Sequence, residues 1–143
     1  MSTELIVYVL TGLAAVVIVL TRLRLGKDDG GAGRADVGRT ALNVHTAAGV
    51  LALGTWAVFL LGDDNLDDDR ASLVGIVALS LWWIVVLAGL LILVRWMPTH
   101  GKHASTGKQD SWSEGPGLSI LAHVGMLVGV CVFTYAYLDP RAF

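Results

Sequence analysis

The sequence predicts an all-α membrane protein, an up-down bundle of four transmembrane helices with both termini outside the cell. Three observations predict it. The 143 residues are 55% hydrophobic and only 15% charged, where an ordinary soluble domain is closer to a quarter charged. The apolar residues gather into four nearly charge-free runs, Leu5–Leu20, Ala41–Leu61, Ala71–Val94 and Leu118–Leu138, which read as helices over about residues 4–23, 40–62, 71–96 and 117–138. Each is long enough to cross ~30 Å of hydrocarbon as a helix. The segments joining these runs differ sharply in the sign of their charge. Too little polar chain is left for a separate soluble domain, so residues 1–143 read as a single membrane domain.

The first run has Glu4 at its start and Arg22, Arg24 and Lys27 after it, with no small-residue cleavage site between. That order of charge fits a retained helix rather than a signal peptide. Residues 26–38 (GKDDGGAGRADVG) are glycine-rich and polar and read as a flexible loop. The link from the second run to the third is GDDNLDDDR, residues 62–70, with five aspartates and one arginine. It reads as a short solvated turn that keeps its two helices antiparallel. It lacks the spaced ligands, glycine and closing glutamate of an EF-hand calcium loop. The third run carries Trp82 and Trp83 at its middle, away from the interfaces where tryptophan concentrates, and these read as packing residues. The last link, residues 99–117 (THGKHASTGKQDSWSEGPG), is again glycine-rich, and Pro116 with Gly117 sets the start of the fourth helix.

Arg22, Arg24, Lys27, Arg34 and Arg39 fall between the first two runs, and Arg95, Lys102 and Lys108 between the last two. Eight of the 10 lysines and arginines thus lie on one side, which the positive-inside rule makes cytoplasmic. The high Gly, Ala and Val content points to a bacterial plasma membrane and a multi-pass protein in contact with the lipid bilayer. Tyr8, Trp96, Tyr135 and Tyr137, near helix ends, read as interface anchors. Arg22, Arg24 and Arg95 read as snorkelling side chains, and Trp112 as resting on the membrane surface. The one cysteine, Cys131, reads as a small core residue of the fourth helix.

Two histidines stand inside apolar runs. His45 lies six residues after Arg39, and His123 seven after Pro116. The second and fourth helices run in the same direction, so at 1.5 Å per residue both histidines sit roughly 9–10 Å along their helices, at one depth. Polar side chains in hydrocarbon are costly and usually mark a site. In a four-helix bundle these two helices are diagonal partners, about 12–14 Å apart if neighbouring axes are spaced as usual. That gap suits two imidazoles with a metalloporphyrin iron between them, and bundle cores are a common place to hold haem. Small residues stand beside each: Ala47, Ala48 and Gly49 near His45, and Ala122, Gly125 and Gly129 near His123.

The pattern R-x-x-L-x-x-H-x-x-x-G over residues 39–49 resembles the ligand helix of several four-helix membrane cytochromes b. The resemblance implies haem b held by His45 and His123, with Arg39 at the membrane edge pairing with a propionate and Gly49 and Gly125 making room for the macrocycle. It implies electron transfer with a quinone or another redox partner, as a small cytochrome b-like protein or a haem-bearing subunit of a membrane oxidoreductase.

Other readings stay open. The histidines can hydrogen-bond across helices in a non-catalytic accessory subunit of a larger respiratory or transport complex, or in a homo-oligomer. His100 and His103, in the H-G-K-H stretch, offer a secondary zinc or copper site with the membrane histidines, or further propionate contacts together with Lys102. No Asp or Glu falls within the charge-free runs, which argues against a proton-coupled transporter or ion pump. Neither a nucleophile–base pattern nor a phosphate-binding glycine loop is present. With a net charge of −2 and no basic, aromatic-interleaved segment, nothing points to nucleic acid.

Overall fold

The computed structural model describes residues 2–25, 39–62, 67–96, 117–139 and 141–142. They form four helices, α1 (Thr3–Leu25), α2 (Arg39–Leu61), α3 (Asp68–Trp96) and α4 (Gly117–Leu138), and no strand among the described residues. Each is long and apolar enough to cross a membrane. Helix is the expected solution for such segments, because hydrocarbon offers no partner for an unbonded backbone group and a helix satisfies them internally. Large side chains left uncovered are apolar on every helix, Leu13, Leu51, Leu91 and Leu121 among them, each more than half exposed. This is the surface of a multi-pass membrane protein, facing lipid.

The helix ends are set by ordinary caps. The Ser2 hydroxyl accepts the Leu5 amide at 3.3 Å, with Glu4 in the first turn of α1. Asp67 accepts the Arg70 amide at 2.9 Å. That carboxylate cap, followed by Asp68 and Asp69 at the positive end of the helix dipole, starts α3 at residue 68 rather than 71. The acidic link therefore helps to start the helix as well as to turn the chain.

Neighbours around the bundle are α1–α2, α2–α3, α3–α4 and α4–α1, with α2 and α4 on a diagonal. The start of α1 meets the end of α2, where the Tyr8 hydroxyl reaches the Leu60 carbonyl at 3.4 Å. The start of α3 likewise meets the end of α4, where the Ser72 and Tyr137 hydroxyls are 3.0 Å apart. Helices thus alternate in direction, with α2 and α4 in parallel register.

The core is densest toward the ends of α2 and α4. Trp56 and Trp82 are completely buried, as nearly is Phe133. Ring centres are 4.8 Å apart for Trp56–Phe133 and 5.9 Å for Trp82–Phe133, and Phe59 and Tyr137 extend the cluster. Two indoles are tied in the same manner. Thr11 and Thr134 each donate to their own helix, at Val7 and Val130. Their hydroxyl oxygens then accept Trp56 Nε1 at 3.1 Å and Trp83 Nε1 at 3.2 Å from the next helix. Cys131 departs from expectation: it is exposed on α4, on the lipid side, instead of in the core. In a helix that is apolar all round, sequence does not say which face turns inward.

Candidate functional site

Toward the opposite end of the bundle, α2 brings His45 and α4 brings His123 to face one another. Their ring centres are 6.3 Å apart and their planes differ by 17°. Trp56 lies 11 residues beyond His45, and Phe133 lies 10 beyond His123. The aromatic contact thus locks the same two helices in register about 15 Å away. The two histidines are at one depth because the register holds them there.

The spacing discriminates between uses of the pair. A direct hydrogen bond between two imidazoles would hold their centres within about 5.5 Å, since donor and acceptor must approach to about 3 Å. At 6.3 Å the two rings are not bonded to each other. With metal–imidazole bonds of about 2 Å, and about 1 Å more from each ligating nitrogen to its ring centre, two imidazoles on one iron have centres about 6 Å apart. Plain ring packing also tolerates the separation. The Nδ1 atom of His45, like Nε1 of Trp82 in the aromatic cluster, is buried without a hydrogen-bond partner among the described residues, so this does not by itself separate packing from ligation. An unsatisfied polar atom in such a place is costly.

The third wall is Gly89 of α3, which is buried. A Cβ placed there would lie 2.7 Å from His123 Cδ2, 3.0 Å from His123 Nε2 and 3.0 Å from His45 Cε1. A side chain there would meet the tips of both rings, which would have to shift to make room. Sequence reading missed Gly89, although its signal was present. Because α3 runs opposite to α2 and α4, a residue seven positions before Trp96 has the depth of the histidines.

The other glycines stand elsewhere. Gly49 is buried one turn beyond His45, and a Cβ there would make ordinary contacts with Ile18 and Val85, at 3.7 and 4.0 Å. Gly125 is exposed, and a Cβ there would meet nothing within 4 Å. Two residues along a helix is about 200° around it, so Gly125 turns away from the face that carries His123. Arg39 is the first residue of α2, but its side chain lies outside the described residues, as do His100, His103, Lys102 and Trp112 and the side chains of Arg22, Arg24, Arg95 and Trp96.

Among the described residues no three His, Cys, Asp or Glu side chains gather as a metal site. A structural zinc site needs four protein ligands, whereas a porphyrin occupies the equatorial positions and asks the protein for the axial ones alone. The two histidines offer side chains of the right type for the second demand, but α3 stands between them at Gly89, where a Cβ would be 3.0 Å from atoms of both rings, so a porphyrin would need α3 to draw back. No protein-family profile, curated protein or solved structure matches this chain.

Proposed function

We propose that the protein is a small integral membrane cytochrome b-like protein, or the haem-bearing subunit of a membrane oxidoreductase, with one haem b between α2 and α4. The observation that carries this reading is the pair of near-parallel imidazoles 6.3 Å apart, contributed by diagonal helices. Haem bound there supplies reversible one-electron exchange at its iron. His45 and His123 hold the iron from its two sides, and the apolar helices around them keep water away. Arg39, with His100, His103 or Lys102, neutralises the propionates at the membrane edge.

The described helices carry no further histidine, and none occurs beyond residue 123. With one bis-histidine centre per chain, electrons enter and leave near a single membrane face or pass to a quinone. The excess of lysine and arginine in the links supports a cytoplasmic position for that face, in a bacterial plasma membrane. Other membrane subunits or a second copy are the natural partners.

His45→Ala and His123→Ala test the reading. Each single substitution is expected to abolish haem retention in protein purified in mild detergent. Normal haem content in both variants would overturn it, and would favour an accessory subunit whose histidines serve packing alone.

A further inference from the structure

We draw no further inference here: the strongest candidate, the fully buried indole of Trp82 in the aromatic end of the core, has an Nε1 without a hydrogen-bond partner among the described residues, and nothing in the structure shows what ligand it would hold.

Discussion

Where α1 and α3 begin, the middle of the bundle holds indoles and benzene rings in mutual contact, with Trp56, Trp82 and Phe133 shut off from the surroundings. Where α1 and α3 finish, the same diagonal helices hold two imidazoles, and the facing helix offers a glycine. The two ends share helices, register and lipid surroundings, and differ only in what fills the gap. One end is closed with bulk, as a stable membrane bundle requires, since lipid is as apolar as the core and close packing supplies much of the association energy. The other forgoes bulk and puts polar rings in its place.

Substitutions at the two ends should therefore behave oppositely. Trp56→Ala removes a fully buried indole and its bond to Thr11, and is expected to cost about 3–5 kcal/mol. A large fall in the detergent melting temperature would report it. His45→Ala, measured on haem-free protein, should change stability by less than about 1 kcal/mol, because it also removes the unpartnered buried Nδ1. Equal losses at the two positions would break the comparison.

Gly75 offers a finer test, because it is the aromatic end's counterpart of Gly89. A Cβ at Gly75 would run into Tyr137 Cε2 and come within 3.0 Å of Phe59. The Tyr137 hydroxyl is held by Ser72 at 3.0 Å, so the ring has little freedom to yield. Gly75→Ala should cost about 1–3 kcal/mol by overpacking, visible as a lower melting temperature with or without haem. The smallest expected effect is that of Thr134→Val. It deletes the acceptor for Trp83 and should cost about 0.6 kcal/mol, the usual size of a hydrogen bond between membrane helices, with haem content unchanged.

How much of this the sequence carries depends on contrast. Four spans stand out because charged links interrupt apolar runs, and each helix end falls within three residues of expectation. His45 and His123 stand out because they are polar in hydrocarbon, and loop charge with residue spacing puts them at one depth. Within a span the contrast disappears. Lipid-facing and core-facing positions are both apolar, so exposed Cys131 and buried Val130 look alike on paper. Gly89 is one of 17 glycines, and only the antiparallel run of α3 separates it from Gly125. Trp56 was hidden for the same reason, since its role lies in partners 45 and 77 residues away, Thr11 and Phe133.

The most direct measurement is a dithionite-reduced minus oxidised absorption spectrum of the purified wild-type protein, with a pyridine haemochrome to count haem per chain. A sharp reduced α-band of the b type at about one haem per chain, as expected for a single bis-histidine site, is the predicted result. Absence of a Soret band after expression with supplied haem would contradict it, and would make His45 and His123 packing residues of an otherwise structural bundle.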